Sequence, residues 1–263
     1  MTKTISFLIP VYNEEKRLIK TVTALKNVVI PVELKLQKII FVNDGSKDNT
    51  LNLLIRFKNE IETATNADVD IVSYPKNKGK GYAIKTGMSN SDSDYTLFFD
   101  ADMATPLTEL SKFVPFIQDN TDVIVGTRKN GHSTVINHQP KIRELMGKVY
   151  TFLSQLILNV WITDFTCGFK AFSRLAKDEI FSRSTINRWG YDSEILFLAK
   201  RLGFLIVEKA VIWSDDRNTR VKLTSAVFTS FIELIKIRIN EFAGRYNIGY
   251  FRKIVARFGL ASS

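Results

Sequence analysis

Asp100 and Asp102 stand one residue apart at the end of the apolar run YTLFF. In extended chain, residues i and i+2 project to the same side, so both carboxylates can address one ligand. Two acids so placed suit a hard divalent cation. Mg2+ and Mn2+ prefer oxygen ligands, and Mg2+ takes one or two carboxylates with phosphate oxygens and water. Asp-x-Asp alone also describes two solvated loop acids. Its place at the end of a strand that must be buried favours a site. In NKGKGYA, Gly79 and Gly81 flank Lys80 just before a helical pattern. Glycine permits close backbone approach, a helix N-terminus favours anions and Lys80 adds charge, so a phosphate fits there. The spacing is neither Walker A nor a dinucleotide fingerprint, and a plain glycine turn is the alternative. VNDGSKDNT reads as a turn at Asp44-Gly45 and then a helix capped by Ser46 or Asp48. That leaves Asp44, at the strand end, free to accept from a nucleobase N–H.

Composition narrows the chemistry. Of 263 residues, 45% are hydrophobic, which excludes a disordered chain and allows one large α/β domain. Cys167 is the single cysteine, so no internal disulfide or cysteine metal site forms, and a reducing compartment fits. His132 and His138 are the only histidines, which disfavours a His-rich metal site or a Ser-His-Asp triad. The work falls to Asp, Glu, Arg and Lys. A net charge of +10 points to an anionic partner: a nucleotide, an acidic lipid surface or a nucleic acid. Charge supports a basic nucleotide- or nucleic-acid-binding protein without turnover as the rival of a different class, but nucleic-acid signatures are missing, so no nucleic-acid partner is expected. The longest uncharged apolar stretch, residues 149–163, is shorter than the roughly 20 residues a bilayer span requires. It also contains Ser154, Gln155 and Asn159. No transmembrane helix is expected.

The elements that position these residues alternate. ISFLIPVY, KIIFVND, VDIVSY, YTLFFD and DVIVGT read as strands; helical patterns lie between them, over EEKRLIKTVTALKNV, residues 48–63, GYAIKTGMS and LTELSKFVPFIQD. Near-continuous apolar strands alternating with helices imply a mostly parallel sheet covered on both faces. Ligands bind such sheets beyond the carboxyl ends of the strands, where all these polar motifs fall. In the second half, residues 140–161 read as one long amphipathic helix with Ile142, Leu145, Met146, Val149, Leu153, Leu156 and Val160 on its apolar face. FKAFS and FLIVEKAVIW read as strands, and DSEILFLAKRLG as a helix ended by Gly203. Residues 223–242 are again amphipathic.

Taken together, IPVYNEE, VNDGSKDNT, NKGKGYA, DADMATP, DFTCGFKAF and WGYDSE resemble the motifs of family 2 glycosyltransferases of GT-A (Rossmann-like) fold. The likeness covers about residues 6–221 and is strongest to the branch making dolichyl- or polyprenyl-phosphate sugars. It implies a nucleotide-sugar donor, with Pro10, Tyr12, Glu14 and Asp44 lining the nucleoside pocket. It also implies Lys80 near the donor, Asp100 and Asp102 as metal ligands for Mg2+ or Mn2+, and Arg128 near the acceptor phosphate. Asn43 stands where many members have Asp and keeps an acceptor oxygen. DADMATP is more similar to the glucosyl than the mannosyl branch, which favours UDP-glucose.

A lipid monophosphate is already ionised near neutral pH and needs no strong base as acceptor. A glycan or protein hydroxyl, the same-class rival, needs one. Asp192 or Glu194 is then the candidate, although both also suit the first turn of a helix. Arg220 and Lys222 are assigned to phosphate binding, where the sequence departs from the family's usual pattern; a solvated basic loop is the alternative. Cys167 reads as a small buried residue. Core packing is the usual fate of amphipathic helices such as 140–161 and 223–242. The resemblance favours a membrane-facing role. So does the tail, where Arg245, Arg252, Lys253 and Arg257 lie near Tyr246, Tyr250 and Phe251 with no acid among them. The expectation is one domain. Residues 1–130 form the donor half, 131–222 the acceptor half and 223–263 the amphipathic and basic helices. The location expected is cytoplasmic, peripheral on the cytoplasmic face of a membrane. The oligomeric state is not legible.

Overall fold

The computed structural model describes residues 2–129, 133–137, 140–214 and 223–249. Its centre is a seven-stranded sheet in the order β3-β2-β1-β4-β6-β5-β7. The strands are β1 (Lys3–Val11), β2 (Leu34–Asn43), β3 (Asp68–Ser73), β4 (Tyr95–Phe99), β5 (Val123–Thr127), β6 (Phe169–Ser173) and β7 (Ile206–Ala210). β1 runs parallel to β2 and β4, β2 to β3, and β5 to β7. β6 is antiparallel to both β4 and β5. The sheet is thus mostly parallel, with one reversed strand inserted between β4 and β5.

Helices cover both faces. α1 (Leu18–Lys26), α2 (Thr50–Thr65) and α4 (Val114–Gln118) lie among the first half of the chain, as does α3 (Lys80–Met88). α5 (Lys141–Leu158), α6 (Arg174–Arg183), α7 (Tyr191–Leu202) and α8 (Leu223–Phe242) follow. Apolar side chains from alternate positions of β1, β2 and β4 enter two separate cores. Phe7, Ile9, Ile39, Phe41, Leu97 and Phe99 fill one; Leu8, Ile40, Val42 and Phe98 fill the other. That two-sided burial explains why these strands read as unbroken apolar runs.

Some boundaries differ from the sequence reading. LTELSKFVPFIQD is not one helix but a 3-10 turn, Leu107–Lys112, followed by α4. Pro115 sits at the start of α4; its ring cannot follow a continuous α-helical turn. α2 starts at Thr50 with Asn49 before it, and neither Ser46 nor Asp48 is the N-cap residue. Asp48 instead accepts from the Thr50 amide and hydroxyl at 3.1 and 2.5 Å, while Ser46 Oγ takes the Asn13 amide. Gly203 ends α7 in the left-handed region, φ 89°, as expected.

Candidate active site

The site is built where β1, β2, β4 and β5 end and β6 begins. Phe99 is paired with Phe169 across the antiparallel ladder, so the loop before β6 arrives beside Asp100. The approach is tight. A Cβ on Gly168 would lie 2.2 Å from Asp100 Oδ2 and would push the carboxylate aside, so glycine there lets it keep its place. After Asp102 the chain turns sharply. Met103 holds φ 55°, rare for a side chain of its size, and its amide donates to Asp100 O at 3.1 Å. α1 braces this turn: Thr21 Oγ1 donates to Ala101 O at 2.5 Å and Lys20 Nζ to Asp102 O at 2.9 Å.

Lys80, first residue of α3, places its ammonium 2.5 Å from Asp100 Oδ1. Burial works against its charge, but Asp100, Asp192 and Asp102 outweigh that and hold the ammonium protonated. Asp102 accepts the Ala104 amide on Oδ1 at 3.0 Å. Burial and the neighbouring Asp100 raise its pKa. Among the described residues, no three His, Cys, Asp or Glu side chains gather as a metal cage. Two close carboxylates on an open edge nevertheless fit Mg2+ or Mn2+, which complete their shell with phosphate oxygens and water.

Asp44 is 3% exposed and three donors converge on it. Lys78 N donates to Oδ1 at 2.7 Å; Asn77 Nδ2 and Gly79 N donate to Oδ2 at 2.7 and 2.9 Å. It therefore shapes the turn that carries Lys80. Tyr74 lies against the same carboxylate, and burial together with that neighbour holds the phenol protonated. Asn43 bonds within the fold, donating to Ser73 Oγ and accepting the Ser46 amide. Pro10 and Tyr12 lie at the end of β1, with Tyr12 exposed. Glu14 is gripped by Arg17 through two bonds of 2.6 Å.

Arg128 follows β5 and is held by a residue that the sequence reading left without a role. Nε and Nη2 donate to Asp164 at 2.7 and 2.8 Å, Nη2 also reaches Thr166 Oγ1, and Trp213 lies against the guanidinium, 5.1 Å from ring centre to Cζ. Asp164 is fully buried. Burial alone would raise its pKa, but the Arg128 guanidinium holds it well below the carboxylate range. Glu208 of β7 fixes the same loop by accepting the Thr163 and Asp164 amides. Lys129 ties this edge to α5 through Thr151 Oγ1 at 2.9 Å.

The two candidate general bases are committed elsewhere. Asp192 Oδ1 meets Lys170 Nζ at 2.5 Å in a buried pair, and Lys170 also donates to Cys167 O at 2.6 Å. Glu194 is fully buried and accepts from Thr185 N, Ile186 N and Tyr246 Oη at 2.8–3.0 Å. The helix-N-terminal alternative thus describes Glu194 in part, but the amides it satisfies belong to the preceding loop. Tyr246, grouped above with the basic tail, is buried. Cys167 is buried and its thiol is pushed up to about 12 by burial, then Asp164, which suits an inert packing residue. Arg220, Lys222 and the residues from 250 onward lie outside the described residues.

This architecture is that of glycosyltransferases of GT-A fold, and the protein is a glycosyltransferase. The chain belongs to glycosyl transferase family 2, whose family model matches residues 6–181. It is 31% identical over 253 residues to the dolichyl-phosphate beta-glucosyltransferase ALG5A of Trichomonas vaginalis, covering 93% of this chain and 76% of that one. To the dolichyl-phosphate beta-glucosyltransferase of Homo sapiens it is 28% identical, covering 96% and 80%. Among solved structures, glucosyl-3-phosphoglycerate synthase from Mycobacterium tuberculosis in complex with Mn2+, UDP and glucosyl-3-phosphoglycerate shares the fold. The TM-score is 0.64 at 18% identity over 89% of this chain and 80% of that one.

Proposed function

We propose that this enzyme transfers a hexose, glucose from UDP-glucose, with inversion onto the phosphate of a polyprenyl or dolichyl lipid, using a divalent cation. The names of the curated relatives support the sugar and the lipid phosphate. The observation that carries the reading is a meeting of unlike surfaces. Arg128 shares the strand edge with the acid pair, and its neighbour Lys129 is tied to α5, whose outward face is apolar. A phosphate on a greasy chain needs both a fixed cation and an apolar surface beside it.

In this reading Pro10, Tyr12, Glu14 and Asp44 line the nucleoside pocket and Lys80 faces the diphosphate. Asp100 and Asp102 hold the cation, which when bound offsets the charge gathering on the leaving diphosphate. Arg128 spends Nε and Nη2 on Asp164 and Thr166; Nη1 is the edge it turns to the acceptor phosphate, with Arg220 and Lys222 as further contacts. The acceptor oxygen is already ionised, so no base is required. That agrees with Asp192 and Glu194 being engaged by Lys170 and by loop amides, and it disfavours a hydroxyl acceptor. Residues 1–130 then serve the donor, 131–222 the acceptor, and 223–263 the membrane side. A panel of UDP- and GDP-sugars with a short polyprenyl phosphate tests this. Lipid-linked glucose forms from UDP-glucose, and EDTA abolishes it. Product that is indifferent to the chelator sinks the metal role, and product from GDP-mannose alone sinks the donor.

The membrane side has its own support. α5 packs on the core through Tyr150, Leu153, Ile157 and Leu158, but Ile142, Leu145, Val149, Phe152 and Leu156 are 44–61% exposed. On α8, Ile232, Ile235, Ile239 and Phe242 are 52–80% exposed. The two helices touch through Tyr150 and Phe231, ring centres 5.8 Å apart, and Trp161 is exposed just beyond α5. Apolar stripes of this size on adjacent helices, with basic residues in the following tail, suit an anionic lipid surface on the cytoplasmic side. No helix among the described residues is long and apolar enough to cross a membrane. The protein floats with anionic liposomes, less so as salt rises, and Phe152→Asp weakens flotation. Absence of flotation at every salt level refutes the membrane surface.

A further inference from the structure

The family match stops at residue 181, and α8 lies beyond it. Its outward face is assigned above to lipid; its inward residues reach a different target. Leu234 and Ile237 are fully buried, and beside them Asn240 is 1% exposed. Asn240 Nδ2 donates to Thr185 Oγ1 at 2.9 Å. Glu233 Oε2 accepts the Gly190 amide at 2.6 Å. Glu194, which takes the Thr185 and Ile186 amides, is itself bonded by Tyr246 Oη just after α8. Residues 184–190 form a loop between α6 and α7, and these groups grip it at both ends.

The middle of that loop is the floor of the Gly79-Lys80-Gly81 turn. Tyr82 N donates to Asn187 O at 3.1 Å, and Lys85 Nζ to Ser184 O at 2.6 Å. A Cβ on Gly79 would lie 2.4 Å from Asn187 O, and one on Gly81 2.6 Å from Ile186 O. Both glycines are therefore required by the loop beneath them, whatever else they allow above. The contacts are backbone on backbone at closest approach, so a shift of the loop moves the first turn of α3 and with it Lys80.

We propose that Glu233 and Asn240 of α8 are positioning residues for the donor site: through residues 184–190 they set where the Gly79-Lys80-Gly81 turn presents its amides and its ammonium. This rests on the reading of that turn as the donor-phosphate contact. α8 then serves both surfaces, lipid outward and donor inward.

The test is UDP binding in the presence of Mn2+, by calorimetry, with hydrogen exchange of residues 79–86 in the unliganded protein. Glu233→Ala weakens UDP binding about tenfold, at a temperature where thermal melting shows every variant folded, and speeds exchange at the Tyr82 amide. Glu233→Gln keeps an amide oxygen for the Gly190 N–H and restores both readouts to near wild type. Asn240→Ala shifts both in the same direction as Glu233→Ala, guarding against a variant that merely fails to fold. Ile235→Asp with Ile239→Asp, on the outward face, loses liposome flotation and keeps UDP affinity. Wild-type UDP affinity and wild-type exchange in Glu233→Ala overturn the proposal, even if its melting temperature falls. If the wild-type protein itself binds no UDP, the donor reading fails, and exchange over 79–86 still decides whether α8 holds the turn.

Discussion

Asp102→Asn lowers hexose transfer about a thousandfold or more, roughly 4 kcal/mol of transition-state stabilisation, while the protein stays folded. The change is isosteric. The side-chain oxygen can still accept the Ala104 amide as Asp102 Oδ1 does, so the turn at Met103 survives. Only the negative charge is lost. Asp100 cannot make up the lost charge, because its Oδ1 already faces the Lys80 ammonium. Single-turnover rates and a Mn2+ titration measure the effect. Loss of rate with loss of Mn2+ affinity supports the metal role. Near wild-type rate in Asp102→Asn removes the acid pair from the mechanism altogether.

The second large effect is on stability. Lys170→Ala destabilises the fold by about 3–5 kcal/mol, the range for breaking a buried ion pair by deleting one partner. Lys170 has no exposed surface and Asp192 is nearly buried. Once the ammonium is gone, the Asp192 carboxylate and the Cys167 carbonyl lose their shared donor in a place water does not readily reach. The double change Lys170→Met with Asp192→Leu recovers much of the loss, because it leaves no lone charge behind. Urea unfolding of Lys170→Met, Asp192→Leu and the double variant forms the cycle. Independent, additive losses in that cycle contradict the pairing.

Much of the polar strand edge was legible in the chain. Asp100, Asp102, Lys80, Asp44 and Arg128 each follow an apolar strand or open a helix, and both patterns are visible within about ten residues. β6 was legible as FKAFS and α7 as the helix ended by Gly203. Direction was not: nothing in FKAFS says that it runs against its neighbours. That reversal brings Gly168 against Asp100 and sets Asp164 under Arg128.

What the sequence by itself determined is therefore the set of strands, the polar groups at their ends and, through six ordered motifs, the family. These depend on local periodicity and on the side-chain types available. Only the tertiary structure decided partners: Lys170 with Asp192, Asp164 with Arg128, Glu194 with the loop before α7, and Glu233 with Gly190. It also decided that Ile142, Leu145, Val149 and Leu156 of α5 turn outward while Leu153 packs on the core. Each is a choice among residues 8 to 43 positions apart or between two faces of one helix. Such choices follow from strand order and from how much apolar surface the core has room to bury, which no short window of sequence contains.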